Sequence, residues 1–212
     1  MSASLIGLDG LDPDSSHLRE EPVETRSAWR GGLLDVRLDR VRLPDGSQSN
    51  REYVVHPGAV MIVPLLDDGR VVCERQWRHP MGQAMLEFPA GKIDRGEPVL
   101  DCAVRELFEE TGYRAREWGR AGLMHNAIAY STEAIEVWFA RSLVAGEREL
   151  DAGEFLDVFA AGIDELDEAT RTGRLTDAKT IVGLLWLQNW RAGRWPIRWQ
   201  TAPDRATPIM TP

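Results

Sequence analysis

Residues 91–113 read GKIDRGEPVLDCAVRELFEETGY, and the spacing within them decides the fold. Gly91 is followed after five residues by Glu97, after seven more by Arg105 and Glu106, and then by Glu109, Glu110, Gly112 and the bulky Tyr113. Pro98 suits a helix start, where its missing amide hydrogen is not needed, and Gly112 suits a helix end, where a left-handed residue closes the last turn. The stretch from 98 to 111 therefore reads as helix. At about 3.6 residues per turn, Glu106 and Glu110 stack on one face with Glu109 beside them, while Val99, Ala103 and Leu107 form an apolar stripe on another. The stripe anchors the helix and the carboxylates converge.

Three carboxylates this close repel one another, and oxygen clusters of this kind favour hard divalent cations such as Mg2+ or Mn2+. Arg105, four residues before Glu109, also reaches Glu97 if the preceding loop folds back, which makes it an orienting residue and not a nucleophile. An isolated Arg-Glu-x-x-Glu-Glu run is ordinarily a solvated helix face. Here two glycines and Glu97 stand in register with it, and the order matches the Nudix signature, G x5 E x7 R E U x E E x G U with U apolar, at every defined position. The chain thus resembles the Nudix hydrolases. The resemblance implies an α/β class, a Nudix α/β/α sandwich with a mixed sheet, and metal-dependent cleavage of a diphosphate bond in a nucleoside diphosphate linked to another group.

The flanks narrow the resemblance. The run ERQWRHPMGQAMLEFPAGKID, residues 74–94, is similar to the QxR...P.G....E.PAG segment of ADP-ribose pyrophosphatases and related nucleotide-sugar hydrolases. DRVRLPDG and REYVVHPGAV upstream are similar to their N-terminal β region, and TDAKTIVGLLWL, residues 176–187, to their final helix, so the likeness covers roughly residues 30–190. In that group the alanine before the signature glycine offers its carbonyl to metal. This implies a metal set of Ala90, Glu106, Glu109 and Glu110, with Arg105 and Glu97 as the orienting pair. Arg78 matches an arginine that contacts substrate phosphates, a task suited to a planar guanidinium, although an ordinary salt bridge would also explain it.

The same resemblance assigns activation of water to Glu154 in DAGEFLDV, with Glu109 as runner-up, and places Glu133 of YSTE in a loop near the substrate. Trp29, Arg51 and Glu52 lie in the β region that such proteins use to grip the nucleoside, often across a homodimer interface. Most of the 8 tryptophans are core residues by size alone, Trp138 among them. The implied reaction is hydrolysis of ADP-ribose or a similar nucleoside diphosphate sugar to a nucleoside monophosphate and a sugar phosphate. Many ADP-ribose hydrolases carry Pro-Gly after the signature, where this chain has Ile128 and Ala129. That departure keeps GDP-mannose or another nucleotide sugar open, with dinucleoside polyphosphates more distant. A non-catalytic module that senses a nucleotide sugar is the rival of a different class, and the intact signature acids oppose it.

Length and composition set outer bounds. With 212 residues, 43% of them hydrophobic, the chain forms one main domain. A formal charge of −9 and a pI near 5.0 exclude broad binding to nucleic acid or anionic membrane. Cys73 and Cys102 read as buried thiols and suit a reducing cytoplasm. The start lacks a basic segment followed by an apolar run, and no stretch approaches the ~18 apolar residues of a membrane span.

Along the chain, the expected parts are a mobile leader (1–25), an N-terminal antiparallel β region (26–57), the catalytic domain (58–192) and an irregular tail (193–212). Val36, Leu38, Val41 and Leu43 alternate with a slip at Asp39 and Arg40, which predicts a bulged strand entering a hairpin at Pro44-Asp45-Gly46. Strands are expected at 51–56, 59–66, 70–77, 85–89, 135–140 and 155–159, and further helices near 163–172 and 176–191.

Overall fold

The computed structural model describes residue 8, residues 13–150 and residues 152–201. Residues 1–7 and 9–12 of the expected leader and 202–212 of the expected tail lie outside these residues. Two compact units divide the chain: Met1–His56 with Ala129–Ser131, and Pro57–Ile128 with Thr132–Pro212.

In the first unit, β1 (Glu21–Arg30), β2 (Asp35–Arg42) and β3 (Gln48–Val55) form an antiparallel sheet in that order. The turn sits where the sequence puts it, with Gly46 at φ +85° and its amide donating to the Leu43 carbonyl at 2.9 Å. The expected bulge does not fall in β2, whose pairing with β3 runs without a shift from Asp35–Val55 to Arg42–Gln48. The irregularities lie in β1, between Pro22 and Glu24 and between Ser27 and Trp29. β2 is bonded on both sides, so the extra residues sit in the edge strand, where no second ladder is broken. β1 also begins at Glu21, inside the stretch read as leader.

The second unit is an α/β sandwich. Its elements are β4 (Ala59–Pro64), β5 (Val71–Arg78), β6 (Gln83–Glu87), β7 (Ala90–Lys92), α1 (Val99–Thr111), β8 (Tyr113–His125), β9 (Ala134–Ala145), β10 (Leu156–Ala161), α2 (Ile163–Arg171), α3 (Ala178–Arg191) and β11 (Trp199–Thr201). A mixed sheet runs β11-β8-β9-β4-β7, with β4 parallel to β9, and an antiparallel sheet runs β10-β5-β6. β4 is buried along its whole length, as a strand covered on both faces must be. Val60 and Ile62 join Trp118, Trp138 and Ala140 beneath Cys102, Ala103 and Leu107 of α1. Met61 and Val63 point into the other core with Val137, Phe139, Phe88 and, from α3, Leu184 and Leu187.

α1 begins one residue later than the sequence suggests. Pro98 caps it in an extended conformation (ψ 139°), and Gly112 closes it at φ +76° with its amide bonded to the Phe108 carbonyl. Trp138 is core, and Cys73 and Cys102 are buried free thiols. No helix among the described residues is long and apolar enough to cross a membrane.

β1, β7, β8 and β11 were not among the strands expected from the sequence. β8 carries three arginines and two glycines, composition that argues for a loop, yet it pairs with β9 from Tyr113–Ala145 to His125–Ala134. Its glycines are sites of close approach: a Cβ on Gly119 would lie 2.3 Å from Ile197, and one on Gly122 would lie 2.9 Å from the Trp186 ring. That packing also orders part of the expected irregular tail. Trp199 of β11 pairs with Gly119, stacks edge-on against Trp190 at 5.6 Å and lies under the Arg141 guanidinium at 3.9 Å.

Leu107 is the fully buried contact that seats α1 on the mixed sheet. Leu107→Ala should lower unfolding free energy by roughly 2–5 kcal/mol, read from the midpoint of a urea titration. A loss under about 1 kcal/mol would mean that other contacts seat the helix.

Candidate active site

The site is built on the flank of α1 that faces β7. Arg105 is its organising cation. Its Nε and Nη2 donate to the two oxygens of Glu97, each at 2.9 Å, so the loop before α1 does fold back over the helix. Its Nη1 donates to Glu106 at 2.8 Å and to Glu109 at 2.9 Å, and Nη2 also meets the Lys92 carbonyl at 3.3 Å. The Arg105 hydrogen bonds hold the Glu97 carboxyl down at about 2 and raise the arginine's own value further.

Glu106 and Glu110 behave in the opposite way. Burial pushes Glu106 up to about 7 against the pull of Arg105. Glu110 is 4% exposed, and burial first, then the charges of Glu74 and Glu106, hold its carboxyl well above the carboxylate range. One favourable contact offsets part of this: the Ala90 amide donates to Glu110 Oε2 at 3.0 Å. Gly91 explains itself by contact, because a Cβ there would stand 1.9 Å from the Glu106 carboxylate. Only a glycine lets that carboxylate lie against β7.

Glu154 stands in the loop immediately before β10, and its negative charge acts on both Glu106 and Glu110. Arg78, at the end of β5, makes a two-point contact to Glu87, Nε to Oε1 at 2.6 Å and Nη2 to Oε2 at 2.8 Å. This is the salt bridge weighed above, but its acid is 3% exposed and is shared with Lys179, which also bonds Asp177 at 3.0 Å. Its Nη1 has no hydrogen-bond acceptor among the described residues. Glu133 accepts from Asn126 at 3.5 Å.

The remaining expected contacts belong to the first unit. Arg51 bonds Glu20 through Nε (2.9 Å) and Nη2, and Ser49 through Nη1 (3.0 Å). Glu52 is exposed, and Trp29 is half-exposed with its ring over Gly31, where a Cβ would lie 2.1 Å from it. The sequence reading missed Glu87, Lys179 and Asp177. Their signal was faint: a glutamate inside the apolar MLEF run and an Asp-x-Lys pair at a helix start.

The donors on this flank are oxygens carrying excess buried negative charge, which fits a hard divalent cation and no soft one. Among the described residues no three acidic, histidine or cysteine side chains converge at coordination distance, since Glu106 and Glu109 are both turned to Arg105. The fit is one of donor chemistry and charge.

The raised carboxyls fix the sign of a pH effect. Glu106 and Glu110 bind protons more tightly in the fold than in the unfolded chain, so the metal-free fold loses stability as pH rises from about 4.5 through their folded values. Glu97, held low, is ionised in both states above pH 5 and adds no slope there. In EDTA the calorimetric Tm should fall between pH 5 and 8, and Glu110→Gln should flatten that fall. An identical slope in the variant would refute the assignment.

Residues 55–182 match the NUDIX domain family. An ADP-ribose pyrophosphatase of Bacillus subtilis (strain 168) is 32% identical over 173 residues, 81% of this chain and 94% of that protein. A methanol dehydrogenase activator of Bacillus methanolicus is 32% identical over 171 residues, 80% and 92% of the two chains. A crystal structure of an ADP compounds hydrolase shares the fold, with a TM-score of 0.75 at 24% identity over 84% of this chain and 97% of that one.

Proposed function

The chain belongs to the NUDIX domain family and is a hydrolase, and we propose that it cleaves the diphosphate bond of ADP-ribose or a similar nucleoside diphosphate sugar. The observation that carries this reading is the carboxylate cluster of α1, tied by Arg105 and backed by β7, in a chain similar over most of its length to an ADP-ribose pyrophosphatase. Water is the nucleophile. Its oxygen bonds to one phosphorus as the bridging P–O bond breaks, giving a nucleoside monophosphate and a sugar phosphate.

Ala90 through its carbonyl, with Glu106, Glu110 and Glu109, would hold Mg2+ or Mn2+, which when bound neutralises charge developing on the phosphoryl oxygens. Arg78 is preset by Glu87 and turns its remaining guanidinium edge to a phosphate. Glu154 takes the proton of the attacking water. It is preferred to Glu109 because Glu109 is committed to Arg105 at 2.9 Å. Arg105 and Glu97 position the cluster without touching the reacting atoms. Trp29, Arg51 and Glu52 are the proposed nucleoside contacts, Trp29 offering a half-exposed indole for stacking, and Glu133 a proposed contact in the loop before β9.

A second substrate, GDP-mannose or another nucleotide sugar, is favoured by one observation. Ile128, in the loop where ADP-ribose hydrolases often carry Pro-Gly, is 83% exposed and free to face a different sugar.

Product analysis with Mg2+ across ADP-ribose, GDP-mannose, NADH and diadenosine polyphosphates should show release of AMP from ADP-ribose at the highest kcat/KM. Glu110→Gln should lower that value at least ~100-fold. Glu154→Gln should lower kcat by roughly 100- to 10,000-fold while Mn2+ affinity is kept. A Glu110→Gln variant with wild-type rates would sink the reading.

Gly91→Ala tests the close approach directly. The added methyl displaces the Glu106 carboxylate, so kcat/KM should fall by ~10-fold or more while the urea midpoint moves little. Unchanged kinetics would show that Glu106 is not needed where it lies.

A further inference from the structure

Glu74 is buried beside this site and nothing so far gives it work. It lies mid-strand in β5, the central strand of the antiparallel sheet, opposite Glu87 of β6 and Val158 of β10. Side chains alternate along a strand, so Glu74 shares a face with Arg78, while Val71 and Cys73 point into the apolar core. The residue is 0% exposed, and neither carboxylate oxygen has a hydrogen-bond partner among the described residues.

The neighbouring cations do not satisfy it. Arg78 gives Nε and Nη2 to Glu87, and Lys179 gives its ammonium to Glu87 and Asp177. Glu87 is thus fully partnered, and Glu74 across the ladder is not. The charge of Glu74 acts on Glu110, itself 4% exposed, and the charge of Glu154 acts on both. Around this spot stand Glu74, Glu87, Glu106, Glu110 and Glu154 against Arg78, Lys179 and Arg105, an excess of negative charge.

A buried ionised carboxylate without a partner is costly, and two within each other's field are worse. A proton on Glu74 would lift its charge from Glu110 as well, but would leave Glu110 still buried within the field of Glu106 and Glu154. A divalent cation takes several oxygen ligands at once and so relieves Glu74 and Glu110 together.

We propose that Glu74 is a further cation ligand of this chain, binding a divalent metal together with Glu110 from the β5 side of the site. The inference rests on the reading of α1 as a cation-binding helix, and extends the ligand set to a strand residue outside the signature. It also gives the apolar run VVCE a reason to end on an acid.

Mn2+ titration of the full chain, followed by the electron paramagnetic resonance of free Mn2+ and by calorimetry, separates the two readings. Wild type, Glu74→Gln, Glu74→Leu and Glu110→Gln are compared, each also melted in EDTA. Both Glu74 variants should bind Mn2+ roughly 10–100-fold more weakly or lose an equivalent of bound ion. Both should melt at least as high as wild type in EDTA and gain less from Mn2+, because an unpartnered buried charge has been removed. Mn2+ affinity within twofold of wild type at unchanged stoichiometry, or failure of both variants to fold in EDTA, overturns the role of Glu74. If wild type binds no Mn2+, or Glu110→Gln binds it as well as wild type, the α1 reading itself fails.

Discussion

One guanidinium organises this site. Arg105 reaches acceptors on three elements at once: Glu97 in the loop before α1, Glu106 and Glu109 on the helix, and the Lys92 carbonyl at the end of β7. Three carboxylates around one cation leave a net negative cluster, yet the planar fork lets each acid keep a defined direction. A lysine has no such fork, and its single ammonium could not span these acceptors with two-point contact to Glu97. Loop, strand and helix are held in one arrangement because their charges meet at Arg105.

The arrangement depends equally on what lies beneath it. Cys102, Ala103 and Leu107 seat α1 on Val60 and Ile62, and the parallel pairing of β4 with β9 buries that strand on both faces. Register then follows. β7 pairs with β4 from Ala59–Lys92 to Met61–Ala90, which sets the Ala90 amide against Glu110 and the bare face of Gly91 against Glu106. The chemistry of the helix is therefore fixed by a three-residue strand whose main requirement is the absence of a side chain.

What the sequence reveals tracks how local the physics is. The signature helix, its glycine end, the first hairpin and the all-apolar β4 are legible because period, turn residues and capping act over a few neighbours. β8 was not, because Gly119 and Gly122 read as breakers until Ile197 and Trp186, some 70 residues away in sequence, are seen to fill the space above them. The bulge was placed in the wrong strand of the right sheet, since only pairing shows that β2 is central and β1 the edge. The loop closure of Glu97 onto Arg105 was readable from spacing. The pairing of Glu87 with Lys179 was not, because it joins residues 92 apart.

The formal charge of −9 is unevenly distributed. Exposed acids are matched locally by arginines, as in Arg40–Glu24, Arg75–Asp157 and Arg171–Glu168, and such pairs contribute little to stability or attraction. An excess of acid lies buried around α1, where Glu106 and Glu110 hold their protons beyond the ordinary carboxylate range. A cation entering there would displace protons, so its affinity would rise with pH while the metal-free fold weakens. The carboxylates that cost the metal-free fold stability are the groups that would draw a cation in, and the cation would carry the positive charge that an anion meets.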